Sequence, residues 1–403
     1  MENVYILNGK RTAIGSYLGT ISTIHPRTLG SEVVKTLLSS DNIQPNDVKE
    51  VIVGNILPAG LGQGIARQIS IDSGIPITTP AYSVNIACGS GMKAVMNMYQ
   101  SIQSGYYHLG IAGGVESMSG APYLIPAKAR NGYKMGDQVM KDHMLYDALT
   151  DAFDGSLMGV TAENIAEKYH ITREDQDHFA YHSQLKAIRA RDTHQFDDEI
   201  VPIRVKNKKS EIVFNQDEFI NDQTTLEKIK SLKPAFKKEG TVTAATSSGI
   251  NDGASFVSVA SETYIRENNL HPMAEIIGIG QGGVDPSIMG LGPTPAIIQA
   301  LNMANLSLKD IEIIELNEAF AVQALGVIHE LSEHFAIDEP WILERTNLNG
   351  GAIALGHPVG ASGNRIIVTL LHQMIKKNKT YGLASLCIGG GMGTAIVLKR
   401  SII

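Results

Sequence analysis

Short apolar runs recur along this chain, separated by amphipathic stretches. Residues 51–57, 82–86 and 109–114 read as buried strands, while 28–39 and 92–102 place apolar side chains at helical spacing. That alternation predicts an α/β fold, with helices covering both faces of a sheet. The same cadence returns at 273–278, 311–316 and 382–387, which predicts a second, similar half. In each half a glycine-rich turn opens a helix (88–91 and 356–363), and a later strand of small residues ends in glycines (113–114 and 389–391).

Between the halves the composition changes. From 119 to 238, Lys, Asp, Glu, His and Tyr are frequent, with a charged helical stretch at 172–191 and a basic run at 206–209. This reads as an inserted loop domain. The expected organisation is an N-terminal half of residues 1–118 and 239–270, an insertion of 119–238, and a C-terminal half of 271–403. The charges of the insertion fit a solvated helix face first and a cap for an anionic ligand second.

A net charge of −7 sets aside a general nucleic-acid binder, which needs a basic face. No apolar run is long enough to span a bilayer, and residues 1–7 lack the pattern of a secretory signal, so no membrane association and a cytoplasmic location are expected. The two cysteines lack the paired spacing of a metal site, so no metal is expected. Neither a phosphate-binding loop ending in Lys-Ser/Thr nor a dinucleotide fingerprint is present.

Both cysteines lie beside glycines. Cys88 follows a strand-like run and precedes a helix, with small residues at 87 and 89–91, like a nucleophile elbow. A helix N-terminus there favours thiolate and offers N–H groups to an oxyanion. A buried structural cysteine is the competing reading. His357 sits between Gly356 and Pro358 in a loop rich in glycine, with neither helical nor strand periodicity to serve. It is a candidate acid/base, against a purely structural histidine. Asn317 and Glu318 end a buried strand, where α/β proteins place their sites, although Asn317 as a helix N-cap is equally plausible. Cys387 ends another apolar run, before Gly389-Gly390-Gly391.

Together, the Cys88 turn, 317–320, 356–358 and 387–393 resemble the thiolase family in order and separation, as do 11–15, 113–118, 133–136 and 240–253. The resemblance covers nearly the whole chain. It implies a five-layered αβαβα core of two similar halves with the inserted loop domain, assembled as a homodimer or homotetramer. It also implies reversible condensation of two acetyl-CoA to acetoacetyl-CoA and CoA, with coenzyme A thioesters as substrates and no bound cofactor.

The implied roles are specific. Cys88 carries the acetyl group, His357 takes its proton, Cys387 removes the α-proton of the second acetyl-CoA, and Asn317 holds a water at the enolate oxygen. The N–H groups of Cys88 and Gly389 form an oxyanion site. Ser248, Ala319 and Phe320 lie near the pantetheine, with Met158, Phe236 and Met289 on its apolar side. Two positions depart from the family pattern: Leu157 where short-chain members usually have His, and Asn221 where an Arg commonly meets the CoA nucleotide. The alternatives are a degradative 3-ketoacyl-CoA thiolase and, in another class, an acyl-CoA or lipid carrier without turnover.

Overall fold

The computed structural model describes residues 2–207 and 210–402; Met1, Ile403 and the Lys208 and Lys209 of the basic run lie outside the described residues. Strands β1 (Val4–Thr12), β2 (Glu50–Gly54), β3 (Ala81–Val84), β4 (Leu109–Ser117) and β5 (Asn251–Ser261) form the first half. Strands β6 (Ala274–Gly283), β7 (Ile313–Leu316), β8 (Tyr381–Ile388) and β9 (Met392–Arg400) form the second. The helices that matter are α1 (Pro26–Ser40), α2 (Ser90–Gln103), α3 (Met158–Tyr169), α4 (Arg173–Asp192), α5 (Pro293–Ala304), α6 (Ala321–Phe335) and α7 (Val359–Lys376).

The internal repetition expected from the sequence is written in the strand order. The first half runs β1-β5-β4-β2-β3 and the second β6-β9-β8-β7, so corresponding strands take corresponding places. In the second half the strand matching β3 is reduced to one parallel bridge, between Ile314 and Thr346. The halves also meet edge to edge, through the pairs Tyr5–Glu275 and Ile6–Ala274 of β1 and β6.

Alternation along each strand builds the layers. Val51 and Val53 face outward onto Leu29 and Val33 of α1, while Ile52 faces inward. Leu383 and Cys387 face the outer layer containing Ile297 of α5 and Val327 of α6, while Ala384 and Leu386 face inward. The inward faces of both halves close on Val95 and Met96 of α2 and Ile367 and Leu370 of α7. Helix, sheet, paired helices, sheet and helix are thus stacked as five layers. With both sheet faces buried, the strands read as continuous apolar runs.

The central helices touch through glycine. A Cβ on Gly91 would lie 2.9 Å from both the Asn364 nitrogen and the Gly360 oxygen, and one on Gly363 would lie 2.6 Å from the Met92 nitrogen. Their N-terminal ends are therefore in backbone contact, which brings the two helix-opening turns side by side.

Among the described residues of 119–238, only Ile200–Val201 joins the main sheet, beside Arg11 and Thr12. Arg11 is wholly buried and ties this segment down, with Nε donating to Glu199 at 2.6 Å and both terminal nitrogens donating to Asp217 at 2.7 and 2.9 Å. The charged stretch is the helix α4, opened by a Thr172–Asp175 capping box. Its charges are not all solvated, as the sequence suggested. Gln176, Asp177, Ser183 and Gln184 are buried, each with a polar partner: Gln176 donates to Thr241, and Ser183 to Glu318. A polar helix can bury a polar stripe when most of its groups find partners; here Gln176 Oε1 is buried without one among the described residues. Among the described residues no helix is long and apolar enough to cross a membrane.

Candidate active site

Cys88 stands in a tight turn between β3 and α2. Ala87 has a left-handed φ of 42°, and the Gly89 and Ser90 nitrogens donate back to the Ile86 and Ala87 oxygens at 3.1 and 3.0 Å. Ser90 locks the turn, accepting from the Ile86 nitrogen and donating to the Ala87 oxygen. Cys88 is only partly exposed. The sequence suggested a thiolate at this helix end, but burial pushes the thiol up to about 11, outweighing the N–H groups of Gly389 and Cys88 that pull it down, while Glu116 adds to the rise. The resting group is a thiol.

Cys387 faces the same place from the end of β8. It is buried, and desolvation first, then the neighbouring Cys88, push its thiol well above the ordinary range. Beyond it the chain turns through Gly390 and Gly391, both left-handed at 86° and 85°. That turn aims the Gly389 N–H at the Cys88 sulfur. Ile388 closes the contact, since a Cβ on Gly89 would lie 2.3 Å from its Cδ1.

His357 comes from the loop before α7. Gly356 holds φ at 105°, and a Cβ there would lie 2.5 Å from Asn251 Cγ, so the loop requires glycine. Asn251 Oδ1 accepts from the His357 nitrogen at 2.9 Å. Nδ1 of His357 lies 2.6 Å from Ser362 Oγ, which donates to the Pro358 oxygen at 3.0 Å. With the hydroxyl proton engaged there, Ser362 accepts from Nδ1–H, which leaves Nε2 as the basic nitrogen. Among the described residues, Nε2 is buried without a protein partner. Burial, then the Arg365 charge, hold the imidazole down to about 3, so it is neutral at rest.

Asn317 follows β7, its nitrogen donating to the Ser385 oxygen beside Cys387. It is not a helix cap. The helix starts at Ala321 with Phe320 in the capping position, and among the described residues both polar atoms of the Asn317 side chain are buried without a protein partner. Such atoms are normally satisfied by a bound water or ligand. Glu318 turns away from this group. Its carboxylate accepts from Ser183 Oγ at 2.7 Å, Asn347 Nδ2 at 2.8 Å and the Ile353 nitrogen at 3.3 Å, fastening the loop that leads to His357.

The remaining candidates gather on the outer side. Met289, Ala319, Phe320 and Cys387 share one apolar cluster, with Met158 and Phe236 packed against it. Phe236 and Phe320 meet edge to face at 6.0 Å, and the Ser248 nitrogen donates to the Ala319 oxygen at 2.9 Å. A Cβ on Gly389 would lie 3.6 Å from Met158 Sδ, which connects this cluster to the Cys88 turn. A cavity of about 650 Å³, lined by Phe179, Lys186, Glu318 and His329, adjoins this cluster through Tyr169, Ile171 and Phe179.

Comparison with known proteins settles the family. The model of the thiolase N-terminal domain matches residues 4–263, and that of the thiolase C-terminal domain matches residues 270–400. The chain belongs to the thiolase family. It is 48% identical over 400 residues to the acetyl-CoA acetyltransferase of Escherichia coli K12, covering 99% of this chain and 100% of that one. The acetyl-CoA acetyltransferase of Cupriavidus necator is 46% identical over 401 residues, with 99% and 100% covered. Human mitochondrial 3-ketoacyl-CoA thiolase has a similar crystal structure, with a TM-score of 0.94 at 41% identity, covering 99% of both chains.

Thiolase motifs drew attention to the reactive groups but not to what holds them. Ser362, which sets the His357 tautomer, and Ser183, which pins Glu318, were not singled out from sequence. Ser362 lay in plain view inside 356–363, five residues from His357. Ser183 gave no signal, being one polar residue on a polar helix.

Proposed function

We propose that this thiolase condenses two acetyl-CoA to acetoacetyl-CoA and CoA, reversibly, through an acetyl group on Cys88. The observation that carries this reading is a pair of neighbouring thiols, Cys88 and Cys387, in a chain whose His357 Nε2 and Asn317 side-chain atoms are buried without partners among the described residues. The relatives' acetyl-CoA acetyltransferase activity supports it.

The protons balance. Cys88 gives its proton to His357 Nε2, and the thiolate attacks the thioester carbonyl of the first acetyl-CoA. The N–H groups of Cys88 and Gly389 meet the oxyanion. CoA then leaves, taking the proton of Cys387, so that a Cys387 thiolate stands beside a His357 imidazolium. That thiolate removes the α-proton of the second acetyl-CoA, and the enolate oxygen is met by His357 and a water on Asn317. The carbanion attacks acetyl-Cys88, and the released sulfur takes back the proton from His357. A thiolate suits this exchange because it is both a good nucleophile and a good leaving group at a thioester. The resting site, with two thiols and a neutral imidazole, is the state from which the cycle starts and to which it returns.

In this reading Ser248, Ala319 and Phe320 lie along the pantetheine, with Met158, Phe236 and Met289 on its apolar side. The protein is taken to act as a cytoplasmic homodimer or homotetramer. Its two free cysteines support a reducing compartment, and the exposed Tyr123, Ile125, Met135, Val139 and Phe153 support association. A second reading, thiolysis of longer 3-ketoacyl-CoA, is favoured by Leu157, a half-exposed apolar side chain opening α3, where short-chain members usually have His. Asn221 offers no charge to the CoA nucleotide, and its side chain accepts from the Gln223 nitrogen. Thiolysis rates for 3-ketoacyl-CoAs of increasing chain length decide between the readings: a preference for the four-carbon substrate supports the first, and a rise with chain length overturns it.

A further inference from the structure

We infer that Glu116, which takes no part in the chemistry above, is a positioning residue that holds the Cys88 surroundings and the His357 helix in one frame. It stands near the end of β4, the strand that corresponds in the second half to β8, which carries Cys387. The side chain is wholly buried. Oε1 accepts from Asn55 Nδ2 at 2.9 Å and the Leu57 nitrogen at 3.2 Å, and Oε2 accepts from the Ile56 and Gly360 nitrogens, both at 3.0 Å. Each oxygen thus meets two N–H donors. Burial pushes its pKa up to about 7, but that donor set favours the ionised form.

The donors explain why a charge is kept there. Ile56, Leu57 and Val359 pack together with Cys88 against them, so the backbone that Glu116 holds forms the walls around the thiol. Gly360 lies in the first turn of α7, three residues after His357. That helix has neither a side-chain cap nor an acidic residue in its first turn. Glu116 supplies both from the other half, as an anion at the positive end of the helix. The fit is close: a Cβ on Gly360 would lie 2.5 Å from Glu116 Oε2.

The same charge also acts on Cys88, opposing its thiolate. The thiol then loses its proton only as a base receives it, which couples the nucleophile to His357. The other titratable groups acting on this pair are Asp252 on β5, which faces Glu116, and Cys387 on β8, which faces Cys88.

The inference rests on the proposed acyl transfer, so wild-type protein is first treated with acetyl-CoA. Failure to form acetyl-Cys88 would defeat that reading and not this one. Two variants then test Glu116. Glu116→Gln removes the charge and sets an NH2 against N–H donors. Gly360→Ala keeps every titratable group but drives a methyl into the carboxylate. Both should lower kcat by about 10²-fold with the KM for acetyl-CoA little changed, as misplaced reacting groups do. In Glu116→Gln the pH midpoint for alkylation of the Cys88 peptide by iodoacetamide should also fall, by about one unit. A structural role alone leaves that midpoint unmoved. An alkylation profile of Glu116→Gln that superimposes on wild type overturns the inference, as does kcat within about threefold of wild type in folded Gly360→Ala. The second variant decides if the first does not fold.

Discussion

The turn of residues 85–89 and the loop of residues 347–358 occupy the same place in the two halves, each leading into the central helix of its own half. The first is short, holds Ala87 left-handed and leaves Cys88 partly exposed. The second is long, pinned from below by Glu318, and keeps His357 buried with one nitrogen fixed on Ser362. One fold unit has thus been used twice, to hold a partly exposed sulfur in one half and a buried, neutral imidazole in the other. What differs is the support. The thiol turn is locked by its own residues, whereas the base loop depends on partners far away in the chain.

Removing the base strains this comparison most. His357→Ala should cost about 10²–10⁴ in turnover, the range for a lost acid/base, measured as acetoacetyl-CoA formation. Equal loss from Ser362→Ala would show that the tautomer matters as much as the ring. Asn317→Ala should cost about 10²–10³ in condensation, as for a lost oxyanion contact, with the rate of Cys88 acetylation largely kept. If both steps fell together, Asn317 would be serving the whole site and not the enolate alone.

Titration separates the two elements. In the free protein the rate of Cys88 alkylation should still be rising at pH 9–10, because burial holds the thiol near 11. The histidine moves the other way. Its folded pKa of about 3 lies below the ordinary 6.5, so as pH falls below 6.5 the unfolded chain takes up a proton that the folded chain refuses. Stability is therefore lost as pH falls from 6.5 toward 3, and His357→Asn should lessen the drop in Tm across that window. The smallest effect belongs to the thiol turn. Ala87→Gly relieves the left-handed φ, a gain of about 1 kcal/mol offset by the added freedom of the unfolded chain, so Tm should rise slightly or stay level.

An α/β fold with covered sheet faces and a second similar half could be read in advance because both faces of each sheet are buried, which gives β2, β4, β7 and β8 their plain apolar runs. The five layers came only from the thiolase resemblance. Cys88, His357, Asn317 and Cys387 stood out because glycines and strand ends surround them. Other features left no local mark. The β1–β6 seam rests on two residue pairs, and the strand corresponding to β3 shrank to a bridge at Thr346. The supports are hidden for another reason: Ser183 meets Glu318 across 135 residues, and Glu116 meets Gly360 across 244. A polar residue with a distant partner looks in sequence like any solvated one. Asn317 was ambiguous for the opposite reason, since an amide before a helix fits a cap until its side chain is seen to bond neither.

The division of labour between the cysteines is tested most directly by intact-mass analysis of Cys88→Ala and Cys387→Ala after acetyl-CoA, alongside acetoacetyl-CoA formation. Cys88→Ala should take up no acetyl group, whereas Cys387→Ala should hold one and condense poorly. An acetyl adduct on Cys88→Ala, or normal condensation by Cys387→Ala, would contradict the account.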